Sequence, residues 1–499
     1  MSDNSVFPND VYKETVLAPL FEGVKKHFAG AVAQINRAHL VMLAETGIVC
    51  RDTASKIANA LAEIDADLDI EKLNYTGEYE DYFFVVEGEL RQRLGPDIAG
   101  ALHTARSRND MDHTVFKMVL RARLDALLEL GLGLADALIE KAEVEKETLI
   151  VAYTHGQPAQ PSTFGHYLSG VIEVLLRDLE RLHDARKLLQ KCPMGAVAIT
   201  TSGFDIDRHR VAELLGFEAP LQNSYACIAA VDYISGVYSA LKLTFLHLGR
   251  VVQDFQFWSS FEVGQLYVPN EFVQISSIMP QKRNPVPIEH LRLLSSLTIG
   301  RCDMMVNTMH NTPFTDMNDS EGEVQQAGFG AFDSGGRVLA LFGALVPALT
   351  ICADKVRKNT EKSCITITEL ADNLVRCEDI SFRQAHEIAA GIAQSVMAKN
   401  LPLYQGFDAF KCAFEAQLAR SPKMSEAEFS RAVSPENFVA VRERFGGPAL
   451  KPMNAALASY RDELKNLSEP AQNHRNELCA AQQKLTTAFE RIKINDKGA

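Results

Sequence analysis

The sequence predicts a mainly α protein in which long helices form an elongated central bundle. Three observations carry this reading: apolar residues recur at i, i+3, i+4 and i+7 over long runs, those runs keep no strict heptad, and alternating strand patterns are scarce. The first run, His113 to about Ile150, places Val115, Met118, Val119, Leu124, Leu127, Leu128, Ala135 and Leu138 on its apolar side. Gly131 and Gly133 lie inside it and read as packing residues, because no complete dinucleotide fingerprint surrounds them. The second run, Gly165 to Lys191, sets Leu168, Val171, Ile172, Leu175, Leu176, Leu179 and Leu182 in one stripe. Val197-Ala198-Ile199-Thr200-Thr201 is the one candidate strand. The third run, Tyr225 to Phe261, is apolar almost all round, which places it at the centre of a bundle. Gln325 to Val356 is the fourth, and Tyr460 to Ala499 reads as a polar helical tail. Rods of this kind expose wide apolar faces, and self-association is the natural way to cover them.

Composition excludes several classes of function. The 499 residues suffice for two to four domains, and 46% hydrophobic with 23% charged residues is ordinary for a globular protein. A net charge of -13 without a Lys/Arg-rich run argues against nucleic acid or a membrane surface as partner. The nine cysteines are scattered and form no Cys-x-x-Cys pair, so the expectation is a reducing cytoplasm without disulfide framework or zinc ribbon. Met1-Ser2-Asp3-Asn4 lacks a signal-peptide pattern, and the most apolar window, Leu339 to Ala353, is too short to span a bilayer and contains Pro347.

Three polar segments stand at the ends of the long runs. Ser276-Ser277-Ile278-Met279-Pro280-Gln281-Lys282-Arg283-Asn284-Pro285 cannot be helical, because each proline removes a donor and biases the residue before it toward an extended conformation. A helix can restart at Ile288-Glu289-His290, so two hydroxyls and a cation lie just ahead of a helix N-terminus. The residues alone leave an anion-binding loop and a polar surface connection equally open. In His103-Thr104-Ala105-Arg106-Ser107-Arg108-Asn109-Asp110, one residue caps the following helix, while a hydroxyl, a guanidinium and an amide remain to hold a carboxylate. Tyr153-Thr154-His155-Gly156-Gln157-Pro158-Ala159-Gln160-Pro161 lies between two helical runs, and a loop histidine is more often structural than catalytic.

Together these segments resemble the argininosuccinate lyase branch of the aspartase/fumarase superfamily. His103 to Asp110 is similar to that family's Thr-Gly-Arg-Ser-Arg-Asn-Asp loop, with Ala105 for glycine. Tyr153 to Pro161 resembles its Tyr-Thr-His-x-Gln-x-Ala-Gln-Pro loop, and Pro193 to Arg208 its Pro-Leu-Gly-Ser-Gly-Ala segment ending in Ile-Asp-Arg. Ser276 to Asn284 matches Gly-Ser-Ser-x-Met-Pro-x-Lys-x-Asn, with Ile275 for the first glycine. Phe382-Arg383-Gln384-Ala385-His386-Glu387 and the Phe445-Gly446-Gly447-Pro448 region resemble the family's C-terminal domain. The matches are ordered and cover most of the chain.

The resemblance implies an aspartase/fumarase-like fold of three helical domains: 1–109, a long-helix bundle over 110–360, and 361–499. It implies a homotetramer whose active sites combine loops from three subunits, a small succinyl-amine substrate, and no metal or organic cofactor. The implied reaction is anti β-elimination from an N-substituted aspartate to fumarate and an amine. Carried onto matching positions, Ser276 is the base, Lys282 its cation and a holder of the aci-carboxylate, and His155 pairs with Glu289. Ser107, Asn109, Thr154, Ser277 and Asn284 bind the fumarate part, and Arg108 is a further substrate-binding residue.

Departures fall on the amine side. The positions that hold arginine in this family, where it has Tyr, Gln and Lys, fall on Asp316, Glu321 and Val324. Ala226 replaces an aspartate, Phe83 a histidine, and the N-terminal Trp-Gly-Gly-Arg-Phe signature is missing. The preferred expectation is a lyase for another N-substituted aspartate, an aminopolycarboxylic acid such as ethylenediamine-disuccinate. The alternatives are a genuine argininosuccinate lyase and a non-catalytic, crystallin-like protein of the same fold. Retention of Ser276, Lys282, His155 and Glu289 together argues against the last.

Overall fold

The computed structural model describes residues 7–494, so the reading of Met1–Asn4 and the end of the polar tail fall outside it. Ahead of the bundle lie α1 (Ala29–Glu45), α2 (Arg51–Asp67) and α3 (Tyr82–Leu94). The bundle consists of α4 (Arg108–Val144), α5 (Phe164–Lys187), α6 (Asp232–Trp258), α7 (Val286–Thr308) and α8 (Gly322–Ala348). Each packs on the next and α8 returns onto α4, so the five helices close a ring around Leu124, Leu175, Leu241, Phe245, Leu291 and Val338.

Helix limits follow from local chemistry. Ser107 caps α4 in a capping box with Asp110, so the helix starts before the predicted His113 and stops at Val144. Thr163 caps α5 through the His166 N–H at 3.1 Å. Here α4 and α5 cross closely: a Cβ on Gly165 would stand 2.6 Å from the Ala142 carbonyl oxygen. A Cβ on Gly131 would meet the Leu179 side chain at 2.5 Å, whereas Gly133 faces open space, so only the first is a packing glycine. The run predicted from Tyr225 breaks at Ala230, whose ψ of 126° is extended, after a short helix Ser224–Ala229. The fourth run likewise ends at Ala348, where Leu349 turns extended and Thr350–Ile351 pairs with Leu266–Tyr267. α6 is not enclosed on every side as its composition predicts: Leu243 and Leu246 are exposed, as are Leu293, Leu297 and Met304 of α7.

Two corrections concern strands. Leu149–Thr154 (β1) and Gln157–Thr163 (β2) form an antiparallel hairpin between α4 and α5, where the sequence shows only a loop. Buried Gln265 completes its edge, accepting from the Val151 N–H at 3.1 Å and donating to the Val151 carbonyl at 3.2 Å. Val197–Thr201 is a run of turns and not a strand. Side-chain bonds override its β propensity: Asp110 accepts from the Val197 N–H at 2.9 Å, and Thr201 donates to the Gly195 carbonyl at 3.0 Å. Val197 (φ 56°) and Thr201 (φ 64°) are held left-handed, a costly state for β-branched residues.

Toward the C-terminus, α9 (Ile367–Glu378), α10 (Phe382–Ala398) and α11 (Phe407–Leu418) bury a separate core of Leu370, Leu374, Ile388, Ile392, Phe410, Phe414 and Phe429. The final helix, α12 (Leu450–Lys493), belongs elsewhere. Its Met453, Leu457, Leu485 and Phe489 join the main core, and it lies across α1, α2, α4 and α5. The stretch 361–499 therefore contributes to two cores, and residues before 109 share theirs with the bundle.

Candidate active site

The N-terminus of α4 is a finished structure. The Asp110 carboxylate accepts from the backbone N–H groups of Ser107 (3.0 Å), Gly195 (2.7 Å) and Val197 (2.9 Å), tying the helix start to the 193–201 turns. Burial raises its pKa to about 6 despite these donors. Ser107 Oγ donates to Asn109 Oδ1 at 3.1 Å, and Asn109 Nδ2 donates to the Ala198 carbonyl at 3.2 Å. The Arg108 guanidinium, expected on the substrate, donates to Glu80 at 3.0 Å and Asp81 at 2.7 Å and covers the Phe84 ring. Phe83, in place of the family's histidine, packs under Arg106.

His155 and Gly156 form the two-residue turn of the β1–β2 hairpin, both with positive φ (53° and 75°), which matches strand twist. Histidine tolerates this region better than bulky apolar residues do. Thr154, His155 and Gln157 are exposed at the tip.

The Ser276 segment is a second hairpin tip. Gln274–Ile275 (β3) pairs antiparallel with Arg283–Asn284 (β4), and residues 276–282 span the end. Arg283 anchors the base, donating to Tyr267 Oη (3.1 Å), the Val268 carbonyl (2.8 Å) and Asn270 Oδ1 (2.8 Å). Ser276 Oγ accepts from the N–H groups of Met279 (3.1 Å) and Ile278 (3.4 Å), two donors that stabilise negative charge on that oxygen. Ser277, Lys282 and Glu289 are exposed, while Ser276 and Asn284 are half-buried. Glu289 lies in the first turn of α7, beside its buried Ile288 and Leu291.

Among the described residues no hydrogen bond or ion pair joins the Ser107, His155 and Ser276 segments, and His155 and Glu289 are not partners within the chain. What the chain does bring together is a group of acidic residues. Asp316, Glu321 and Asp112, one turn beyond Arg108 on α4, interact electrostatically. Burial first, then Glu321, Asp81 and Asp316, push the Asp112 carboxyl well above the usual range; burial and Asp316 push Glu321 up. Buried His113 points Nε2 toward Asp316 Oδ1 at 3.7 Å, and its Nδ1 lies 3.3 Å from Tyr233 Oη. Sequence reasoning missed Asp112, His113 and Tyr233.

The family described as Lyase matches residues 23–300, and the argininosuccinate lyase C-terminal family matches 364–440. "Argininosuccinate lyase 2" of Agrobacterium fabrum is 60% identical over 98% of this chain and 97% of that protein. EDDS lyase, solved with formate, superposes with a TM-score of 0.85 at 27% identity, over 99% of this chain and 98% of that one. Class II fumarase of Schistosoma mansoni shares the fold, with a TM-score of 0.68 at 16% identity over 86% and 92% of the two chains. The chain belongs to the argininosuccinate lyase branch of the aspartase/fumarase superfamily and is a fumarate-releasing carbon–nitrogen lyase.

Proposed function

We propose that the substrate is an N-substituted aspartate, cleaved by anti β-elimination with Ser276 as base. Ser276, as its oxyanion, takes the Cβ proton, the C–H electron pair becomes the Cα=Cβ bond of fumarate, the Cα–N pair leaves with the nitrogen, and that nitrogen gains a proton to depart as the amine. Lys282 and the two N–H groups at Ser276 Oγ stabilise the serine oxyanion, and Lys282 also meets the charge building on the carboxylate. His155, oriented by Glu289, completes the acid–base machinery; Ser107, Asn109, Thr154, Ser277 and Asn284 hold the fumarate part. Arg108 supports this site by fixing Glu80 and Asp81.

The observation that carries the reading is the state of the three segments: two exposed hairpin tips and one helix N-terminus, each anchored at its base and unjoined to the others. Four chains packed through the exposed Leu243, Leu246, Leu293, Leu297 and Met304 would bring such tips together, and we place this homotetramer in the cytoplasm. Argininosuccinate is favoured by the 60% identical relative, and an aminopolycarboxylic acid by the likeness to EDDS lyase. Assaying both for fumarate release, with product mass as the second readout, tests the reading. Release from neither, nor from any N-substituted aspartate, would refute it.

A further inference from the structure

We propose that the amine carries a second cationic nitrogen at its far end and no carboxylate there, so that Asp112, Asp316 and Glu321 receive a mono-succinylated diamine or guanidino-amine. This rests on the N-substituted aspartate reading above and sets aside argininosuccinate and ethylenediamine-disuccinate, whose far ends carry carboxylates.

Three carboxylates from three separate segments act on one another electrostatically: Asp112 from α4, Asp316 from the loop after α7, and Glu321 at the start of α8. The neighbouring guanidinium of Arg108 is already shared between Glu80 and Asp81. The site thus holds more acid than base, and its members are partly open to solvent, as a ligand requires. A second observation is independent of charge counting. His113 is 1% exposed, and among the described residues its Nε2 has no hydrogen-bond partner while pointing at Asp316 Oδ1, which also lacks a donor. Such buried orphans are costly without compensation. An ammonium beside Asp316 would supply the missing donors.

The same loop adds an apolar component. Phe314, two residues before Asp316, stacks on Tyr225 with ring centroids 6.0 Å apart, and both rings are exposed. Aromatic faces next to carboxylates suit an alkyl-ammonium, and they disfavour a far-end carboxylate. A second succinyl group would bring like charge against this cluster, which separates mono- from bis-succinylated amines.

The test uses full-length enzyme in the fumarate-addition direction with four amines built on a four-carbon chain: putrescine, agmatine, butylamine and γ-aminobutyrate. Putrescine and agmatine should exceed γ-aminobutyrate by roughly 10²-fold in kcat/KM, with butylamine between. Asp316→Asn and Glu321→Gln should flatten that series, and Glu321→Lys should turn it toward γ-aminobutyrate. Equal rates for putrescine and γ-aminobutyrate in the wild-type enzyme would overturn the inference, even if a variant failed to fold. If no amine adds and neither argininosuccinate nor ethylenediamine-disuccinate releases fumarate, the lyase substrate reading itself fails, which is a distinct result.

Discussion

The start of α4 and the tip of the β3–β4 hairpin are both candidate parts of one site, yet they are built in opposite ways. At the first, Asp110 accepts three backbone hydrogen bonds and Arg108 is fastened to two carboxylates. At the second, the base is anchored by Arg283 while Ile278 is 83% exposed and Lys282 projects into solvent. A part whose partners lie within its own chain is complete on its own. A part with exposed reactive groups and apolar neighbours is open to completion from outside, which under the proposal above comes from substrate and further copies of the chain.

The largest effect is expected from Ser276→Ala. Turnover should fall by roughly 10² to 10⁴ or more, with much less change in substrate binding, and deuterium exchange at Cβ should disappear with it. Near-normal turnover would remove Ser276 from the mechanism. A complementation experiment asks what completes the exposed tip: Ser276→Ala and His155→Asn chains, each inactive alone, should regain activity when unfolded and refolded together. No recovery in verified mixed oligomers would argue that each site lies within one chain.

Changes at the anchors should have smaller effects. Arg283→Ala removes three donated bonds from the hairpin base, so KM should rise several-fold with modest loss of thermal stability. An unchanged KM would mean that the tip does not depend on its anchor. Asp110→Asn tests the finished side through pH. The folded-state pKa of about 6 stands above the ordinary 3.8, so the native state binds this proton more tightly than the unfolded chain. Its contribution is fully present below 3.8 and is lost as pH rises toward about 6. Denaturant midpoints of the wild type should fall across that window relative to those of Asp110→Asn, and parallel curves would contradict the assignment.

The long helices were legible because one period governs them: the stripe of α5 is buried from Leu168 to Leu182 as its spacing predicts. The β1 strand was hidden because Leu149–Thr154 continues the apolar composition of α4, and its free edge is satisfied by a glutamine far along the chain, Gln265. Val197–Thr201 misled for the converse reason, since its β-branched residues obey side-chain bonds from α4. Motif order singled out Ser107, His155 and Ser276 as candidates, and counting singled out Asp316 and Glu321. Asp112 and His113 stayed hidden because only the loop after α7 gives them their significance.

The path of α12 has a consequence for how the protein is made. Its end reaches back to α2, where Ser55 and Asn59 donate to the Lys493 carbonyl at 3.2 and 3.3 Å. Helices α1 and α2 therefore wait for a segment lying far along the chain, 438 positions from Ser55 to Lys493, before their surface is covered, while residues 364–433 can settle around their own core in the meantime. Synthesis interrupted before Leu450 leaves an apolar seam along α1, α2, α4 and α5, the kind of exposed surface through which partly made chains aggregate.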